Sequence, residues 1–541
     1  MLHRRPSASE LRGSRPVFLL EVFWLGRVYR FCTEPLLVTK ADGSALRFGG
    51  SLDLRSLQDS LSRSDGNPQG GTGSMSVVFP ELSLMREYLE GRILEGAVCE
   101  LSMVFVRGGI AATIYEDRMI QLRGHVSRPQ IGFHDRPEGF AGFTVTARPF
   151  DTKTPILNPS ARLSSVTIPG TPSDYYGAMY PLVFGSPGNA DIPGSPAYTI
   201  DTTPGDRRTL IAVGRLDADE VTISDEDGTY YVRRPVLYNN DSNGILYAYV
   251  STTNAPSGFT KSTGRHFIHW VESTTTQTTK YALSNPFGSG GLHRATDLAR
   301  YLLGLTGAEV DDAQWVSSAP LLDRYTFSGY VNDASVTVWD FMSAQMLPLM
   351  PLQVRVGAHG LYPVSLLPSA YPSQLPQLTV EASRGLEQVS PVQITQELRD
   401  IVNQMALSYL YNAREDRLTA QLVSTPDEGI SNRTRSTEAQ RSREIYGERP
   451  GPDIEATYLA DDSGAQHALR WLLYDRGFLH MAVQLRAAPR YGWLMVGDEV
   501  SLTASALALS GRRATVTSKQ WDGSSWRLVL AWSLAPLEAT F

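Results

Sequence analysis

The sequence carries little charge for its size. Of its 541 residues, 49 are Lys or Arg and 56 are Asp or Glu, so charged residues make up only 19% of the chain, against about 25% in a typical soluble domain. The net charge of −7 gives no general attraction to nucleic acid. With 42% hydrophobic residues the chain is not intrinsically disordered. A surface poor in charge is typical of a protein that buries much of it in an assembly.

Cysteines and long apolar runs are also scarce. Cys32 and Cys99 cannot form a disulfide framework and belong to no C-x-x-C pair, so we expect both to be small buried residues. No stretch reaches the roughly 18 consecutive apolar residues of a membrane span. Residues 1–16 hold four arginines among Ser and Pro and lack the apolar core of a signal peptide, so we interpret them as a flexible arm.

The residues that usually hold metals or phosphates do not cluster. His266 and His269 are three apart in a strand-like run, so they point to opposite faces. Neither an H-E-x-x-H motif nor an EF-hand loop occurs. Gly288–Gly291 precedes a helix, where free N–H groups attract anions, but no Lys-Ser/Thr pair follows, which favours a linker. We therefore predict no metal site and no cofactor.

Catalytic patterns are equally weak. Two acidic clusters, Asp225–Asp227 and Asp461–Asp462, could serve glycoside hydrolysis, but their neighbours are turn residues that would leave them solvated. The polar segment 425–452 contains Arg433, Arg435, Arg441 and Arg443 without aromatic partners for base stacking, which favours an exposed loop. With no G-x-S-x-G elbow either, we predict no catalytic residues and no enzyme.

Alternating apolar and polar residues predict a fold that is mainly β with a few helices, a β-rich α+β chain of several domains. Alternation is clear at Phe143–Ala147, two apolar helix stripes stand out, and cap and stop residues mark one further helix. The first helix spans Ala295–Leu303 with Gly304 as its C-terminal cap, and the second runs from an N-cap at Ser335 to Leu347. The third carries Ala465–Leu473 behind an Asp462/Ser463 cap, and a short helix is expected within Leu82–Leu94.

These shifts in pattern predict five segments. They are the arm (1–16), a β-barrel with one helix (17–150), a linker with a polar β-rich insertion (151–291), an α+β region (292–400) and a C-terminal region that completes a second β-barrel (401–541).

The C-terminal region resembles a known family in the order of its motifs. Asn403 leads into the strand of Tyr409, and Ser442 is followed by Tyr446-Gly447. A helix with Ala465 and Ala468 follows, and then the strand that opens with Gly497-Asp498. This order is similar to that of the central hub proteins of tailed-phage tail tips and baseplates, which also occur in gene transfer agents. The helices and strand pair of 292–366 match the family's middle stretch, and Pro181–Gly185 resembles its "P-x-v-y-G" element.

The resemblance implies a structural hub at the tail tip of a virion. In that family two barrels per chain form a homotrimeric ring that continues and closes the tail tube. It implies contacts with the distal tail protein, the tape-measure protein and peripheral tail-tip or fibre proteins, and passage of genomic DNA through the lumen without sequence-specific binding.

Three alternatives stay open on the residues alone. The chain could be a distal-tail ring protein, or a receptor-binding tail adhesin that uses the Thr/Tyr-rich insertion at 180–290. A tail-associated cell-wall hydrolase is the third, and it rests only on the acidic clusters.

Overall fold

The structure is a computed structural model. It describes Pro6, Leu11 and residues 14–61, 70–79, 90–133, 139–147, 151–188, 191–201, 207–229, 231–253, 266–272, 278–279, 283–287, 291–357, 359–367, 375–395, 397–424 and 437–535. Most of the predicted arm, residues 82–89 of the predicted short helix, Gly288–Gly290 and residues 425–436 of the polar segment lie outside these ranges.

The N-terminal sheet closes into a barrel, because each of its seven strands pairs with two neighbours. Six of the seven pairings are antiparallel, and the pairing of β2 with β5 is parallel. The strands are β1 (Arg15–Trp24), β2 (Arg27–Cys32), β5 (Gly50–Ser60), β6 (Thr72–Phe79), β7 (Val98–Arg107), β9 (Met119–Phe133) and β10 (Gly139–Ala147). Three short strands lie outside the ring: β3 (Leu36–Thr39), β4 (Ala45–Phe48) and β8 (Ile110–Ala111).

A β-bulge in β5 shows how the sequence fills this barrel. Leu52 and Leu54 are buried at two-residue spacing, yet the next buried leucine is Leu57. The register against β6 shifts between Leu54 and Ser56, so the extra residue Arg55 returns Leu57 to the inner face.

A second, half-barrel sheet is built from the C-terminal part of the chain. Its strands are β24 (Gln377–Thr379), β25 (Leu386–Gln388), β26 (Gln393–Ile394), β30 (His480–Ala487), β31 (Glu499–Ala504), β32 (Leu509–Trp521) and β33 (Trp526–Ser533). The order β24-β31-β32-β33-β30-β25 brings its two ends to one chain segment, where Glu381 bridges Leu386. Antiparallel pairing of β32 with β5 joins the half-barrel to the closed barrel in one 15-stranded sheet.

The insertion forms a sheet with its own core. It contains β12 (Ser195–Asp201), β13 (Arg208–Val213), β14 (Glu220–Ser224), β15 (Tyr231–Pro235), β16 (Leu237–Asn240), β17 (Leu246–Ser251) and β18 (His266–His269). The order is β15-β14-β18-β12-β13-β17-β16. Only Val236 separates β15 from β16, so the two ends of this sheet are consecutive in the chain and the sheet curls around its buried apolar side chains. We call this unit the inserted sheet.

The helices pack with small sheets around a further core. They are α1 (Ala295–Leu305), α2 (Asp312–Leu322), α3 (Val338–Phe341), α4 (Thr437–Tyr446) and α5 (Asp462–Arg476). The accompanying strands are β11 (Leu182–Phe184), β21 (Gly329–Val331), β22 (Leu352–Gly357), β23 (Gly360–Ser365), β27 (Ala406–Asn412), β28 (Arg417–Val423) and β29 (Ile454–Glu455), whereas β19 (Val271–Glu272) and β20 (Thr278–Thr279) pair with each other.

The structure confirms the fold class predicted from the sequence, which is mainly β with few helices. The first predicted barrel is closed, and the second is a half-barrel sheet. The predicted domain limits stay predictions, since the 15-stranded sheet draws strands from 17–150, 292–400 and 401–541.

Several helix predictions need correction. The helix expected from Ser335 begins at Val338, because Thr337 accepts from the Asp340 N–H as N-cap while Ser335 bonds Asp333 in the preceding turn. After Phe341 this helix widens into a π turn, with the helix-breaking proline close behind.

Two further helix ends and one whole helix differ from expectation. The third predicted helix has its N-cap at Asp461, not at Asp462/Ser463. Helix α1 runs past Gly304 to Leu305, and Gly307 takes the left-handed conformation instead. Helix α2 was missed because only Trp315 and Leu322 are buried along it, which leaves no apolar stripe.

The C-terminal polar segment also differs from the exposed loop that was expected. Residues Thr437–Tyr446 within it form helix α4, which places Arg441 and Arg443 on a helix. Arg433 and Arg435 lie outside the described residues.

Candidate functional site

The closed barrel and the half-barrel meet along a short antiparallel pairing. Leu57–Ser60 at the end of β5 pair with Ser518–Trp521 at the end of β32, and the Leu61 N–H donates to the Thr517 carbonyl at 2.7 Å. We call this pairing the seam. A bulge at Thr517 precedes it, since the register of β32 against β33 shifts between Val516 and Ser518.

Aromatic side chains fill the space behind the seam. Phe18 of β1 lies 5.2 Å from the Trp521 ring and 6.0 Å from the Trp526 ring, and the two tryptophan rings are 5.0 Å apart. All three are buried and belong to one hydrophobic core that spans both sheets. Because tilted aromatic pairs add roughly 0.5–1.5 kcal/mol each beyond their buried area, the barrel and the half-barrel are held as one unit.

A buried ion pair brings a third element to the seam. Arg355 of β22 is 1% exposed, and its guanidinium donates to the Asp59 carboxylate and, at 2.7 Å, to the Ser60 carbonyl. Burial raises the pKa of Asp59, and Arg355 opposes that rise. An ion pair and a hydrogen bond therefore connect the β22–β23 hairpin to the end of β5.

A buried lysine lies directly across the seam from this carboxylate. Lys519 is 3% exposed and pairs in register with Asp59. Its Nζ donates to Gln121 Oε1 at 2.7 Å and to the Gly492 carbonyl at 2.5 Å, and it lies 4.2 Å from the centre of the Trp526 ring. Burial lowers the pKa of Lys519 to about 7.

The Gly497-Asp498 motif lies beside this lysine. Gly497 has φ of +97°, and a Cβ there would meet Val364 Cγ1 at 2.7 Å, so both the turn and the close approach of β23 require glycine. Asp498 accepts from the Met495 N–H at 2.7 Å. Burial raises the pKa of Asp498 to about 6, and the charge of Lys519 opposes that rise.

The other motif residues of the C-terminal region converge on Asn403. Its side-chain amide is fully buried; it donates to Ser442 Oγ at 3.0 Å and to the Gly447 carbonyl at 2.9 Å, and it accepts from the Arg449 N–H at 2.8 Å. Ser442 donates in turn to the Gly477 carbonyl at the end of α5. The motif thus joins the strand leading into β27, helix α4 and helix α5.

The Asp461–Asp462 cluster also serves the fold. Asp461 caps helix α5 by accepting from the Gly464 N–H at 2.7 Å, and it accepts from the Thr326 hydroxyl. Asp462 accepts from the Tyr409 hydroxyl at 2.6 Å, and this bond helps to raise the pKa of the tyrosine. Both carboxylates therefore have structural partners.

The second acidic cluster lies in the turn between β14 and β15. Asp225 is buried and accepts from the Thr229 N–H at 2.8 Å, whereas Glu226 and Asp227 are exposed. Among the described residues no group of three or more His, Cys, Asp or Glu side chains could hold a metal ion.

Two histidines of β18 are buried in the inserted sheet. His269 Nε2 lies 3.2 Å from Ser224 Oγ, which also accepts from Arg414 Nη2 at 2.9 Å. Arg414 belongs to the β27–β28 turn, so this cluster joins the inserted sheet to the C-terminal region. Burial lowers the pKa of His266 and of His269 to about 4.

The Pro181–Gly185 element leads from the linker into the inserted sheet. Its β11 strand pairs with β21, and Tyr180 just before it donates to Asp241 Oδ2 at 3.0 Å. Gly185 has φ of +67° and packs against the backbone of Phe327. The element therefore lies where the inserted sheet meets the helical region.

An open cavity of about 450 Å³ lies on the outer face of the half-barrel. It is lined by small side chains of β32 and β33, by the end of helix α5 and by charged groups that include Arg476, Arg512 and Glu499. No helix in the described part of the chain is long and apolar enough to cross a membrane.

Sequence reasoning missed Arg355, Gln121 and Lys519. All three are polar residues inside strands whose neighbours alternate with them, so they resemble solvent-facing residues. The inward direction of Gln121 and Lys519 depends on β-bulges, which the sequence does not mark.

Comparisons with known proteins found structural likenesses only. The chain matches no protein-family model and no curated protein. A tail protein from Neisseria meningitidis MC58 aligns over 95% of this chain and 96% of its own, with 9% identity and a TM-score of 0.36. The 43 kDa tail protein of prophage MuSo2 from Shewanella oneidensis aligns over 95% and 98%, with 9% identity and a TM-score of 0.37. A chain of a native gene transfer agent virion aligns over 71% and 89%, with 11% identity and a TM-score of 0.34.

Proposed function

We propose that the protein is a non-enzymatic structural hub at the distal end of a phage tail. Its role is to form a trimeric ring that continues and closes the tail tube, with the tape-measure protein and a distal tail protein as neighbours. It would anchor peripheral receptor-binding proteins and open for DNA passage. The motif resemblance suggests this role, and the seam is the structural observation that carries it.

The seam supports the proposal because it places two barrel-like sheets edge to edge within one chain. Three chains arranged in this way supply six such sheets, which suits a ring on a hexameric tube. A ring also requires a head-to-tail contact between copies, which would repeat the side-by-side arrangement that the seam creates within the chain.

Exposed apolar residues at both free ends of the pair fit this contact. The half-barrel ends away from the seam at β25–β26, where Val389, Ile394 and Leu398 are 52%, 59% and 48% exposed. In the closed barrel β7 is among the strands farthest from β5 around the ring. Beside it Ile110 is 72% exposed and Leu37 of β3 is 60% exposed. Burying these side chains against a second copy would stabilise the ring by roughly 25 cal/mol per Å².

Sedimentation velocity and tail incorporation test this assignment. We expect a trimer, and we expect Val389→Asp to shift the protein toward monomer by burying an unpaired charge. Val316→Asp is the matched control, because Val316 is 57% exposed on helix α2, and we expect it to leave the assembly unchanged. A protein that stays monomeric at micromolar concentration and never joins a tail contradicts the proposal.

A receptor-binding role of the inserted sheet is a second candidate. Leu237, Tyr238 and Leu246 are between 37% and 40% exposed on the neighbouring strands β16 and β17 at one end of the sheet. Binding of the full-length protein to host cells, weakened by Leu237→Asp, would favour this role. Absence of binding would leave the insertion as a structural part of the hub.

A further inference from the structure

Gln121 reaches Lys519 because a β-bulge turns it inward. The register between β7 and β9 shifts so that Leu101 pairs with Leu122 and Ser102 with Ile120, which leaves Gln121 as the extra residue. A bulge re-aims the side chain of its extra residue. The Gln121 side chain is 8% exposed and enters the space behind the seam.

The amide and the amine are in reactive range. Lys519 Nζ lies 2.7 Å from Gln121 Oε1, so the amide carbon, about 1.2 Å from that oxygen, is within about 4 Å of the nitrogen. Near-attack geometries have reacting atoms about 3–3.5 Å apart. The amide carbon lies on the Cγ–Cδ axis, so small changes in the preceding torsions of Gln121 or in the Lys519 side chain must close this gap of up to about 1 Å.

The surroundings supply an uncharged nucleophile and a proton carrier. Burial lowers the pKa of Lys519 to about 7, so much of the amine is neutral near neutral pH. Asp59 lies directly across the seam from Lys519, and cross-strand partners project to the same face. The Asp59 carboxylate is bonded to Arg355, whereas Nζ is bonded to Gln121 and Gly492, so proton transfer requires the carboxyl group to turn toward the amine. Burial raises the pKa of Asp59, which favours its taking up a proton.

We propose that Lys519 and Gln121 form an intramolecular isopeptide bond across the seam. The Nζ lone pair attacks the Gln121 side-chain carbonyl carbon, and a new C–N bond forms. The bond from that carbon to Nε2 breaks, and Asp59 carries a proton from Nζ to the departing nitrogen. One ammonia leaves for each amide formed, with no oxidant or cofactor required.

Such a bond would link the closed barrel to the half-barrel covalently. It would hold the two sheets together when the non-covalent seam is strained. The bond does not depend on the tail assignment, because it follows from the contact inside one chain.

Intact mass of the purified full-length protein tests the proposal. We expect a mass about 17 Da, one ammonia, below that of the sequence. Trypsin should yield a branched peptide that joins residues 119–123 to residues 514–527, with no cleavage after Lys519. A folded wild-type protein with full mass and complete cleavage after Lys519 would overturn the inference.

Single substitutions test bond formation and the catalytic role of Asp59 independently of each other. Lys519→Arg keeps a cation but lacks the primary amine, so we expect the full mass. Lys153→Arg, an exposed lysine elsewhere, should keep the mass loss and serves as the control. Asp59→Asn should slow the mass loss at least tenfold. If the isopeptide bond forms in Asp59→Asn at the wild-type rate, Asp59 is not the proton carrier, but the bond itself is confirmed.

Discussion

Arg355 on β22 and Asp59 at the end of β5 form a buried ion pair between elements almost 300 residues apart in the chain. The guanidinium also donates to the Ser60 carbonyl. Arg355 therefore binds both the Asp59 carboxylate and a backbone carbonyl at the seam. Removing one partner of such a pair leaves the other charge buried without compensation.

We expect Arg355→Met to destabilise the protein by about 3 kcal/mol, because the Asp59 carboxylate, 18% exposed, loses its hydrogen-bonded cation and keeps only the charge of Lys519. Urea unfolding followed by tryptophan fluorescence measures the change. Two of the nine tryptophans, Trp521 and Trp526, are buried behind the seam and contribute to this signal.

The control for this variant is an exposed ion pair. Arg384→Met breaks the contact with Glu381, in which the two side chains are 59% and 46% exposed, and we expect a loss of less than about 1 kcal/mol. If both variants lose the same free energy of unfolding, the Arg355–Asp59 pair stabilises the protein no more than an exposed ion pair does.

Asn403→Ala should destabilise the C-terminal region by about 2–4 kcal/mol. The substitution removes three hydrogen bonds of a fully buried amide, and the buried Ser442 hydroxyl then keeps only its bond to the Gly477 carbonyl. Gln421→Ala is a suitable comparison, since that amide is exposed and makes only a long bond to Ser408. Thermal unfolding of both variants gives the measurement, and similar melting temperatures would count against the Asn403 network.

The buried histidines predict a loss of stability in acid. The pKa of His269 is about 4 in the folded state, below the usual 6.5, so between these values the unfolded chain binds more protons. The contribution of His269 is therefore present above pH 6.5 and falls by up to about 3 kcal/mol as the pH drops to 4.

A His269→Gln variant isolates this contribution. Protonation would place a second cation beside Arg414, which Asp191 opposes only in part. We expect the stability difference between wild type and variant to shrink across this pH range in urea titrations. A constant difference would mean that His269 does not titrate in the folded protein.

Asp498 predicts the opposite slope. Its folded pKa of about 6 exceeds the usual 3.8, so its contribution to stability is full below pH 3.8 and is lost as the pH rises to 6. The loss amounts to about 3 kcal/mol at most. Asp498→Asn keeps an oxygen for the Met495 N–H and should remove this slope, which calorimetry at several pH values would detect.

The periodicity of apolar residues in the sequence predicted much of the secondary structure that is observed. The predicted alternation at Phe143–Ala147 lies within β10, and the first and third predicted helices are α1 and α5. Phe143 and Val145 are buried in β10, and both helices bury their apolar stripes, so local pattern and tertiary burial agree there. The tertiary joins were not predictable, because the seam depends on pairing between strands at opposite ends of the chain.

The residues behind the seam show why polar interior groups escape sequence reasoning. Lys519 and Gln121 look like solvent-facing residues until a bulge reverses their direction. By contrast, the motif residues Asn403 and Ser442 were found through family resemblance, and the structure supplies their physical reason as a shared hydrogen-bond network.

The two strands of the seam are synthesised far apart in time. Ser518 contacts the backbone of Asp59 across a separation of 459 positions. At about 5–20 residues per second, the ribosome needs roughly 20–90 seconds to supply the second strand after the first has emerged. During that interval the end of β5 is an uncovered strand edge, open to pairing with other nascent chains. The time spent waiting, rather than the final stability, would then limit the yield of correctly folded protein.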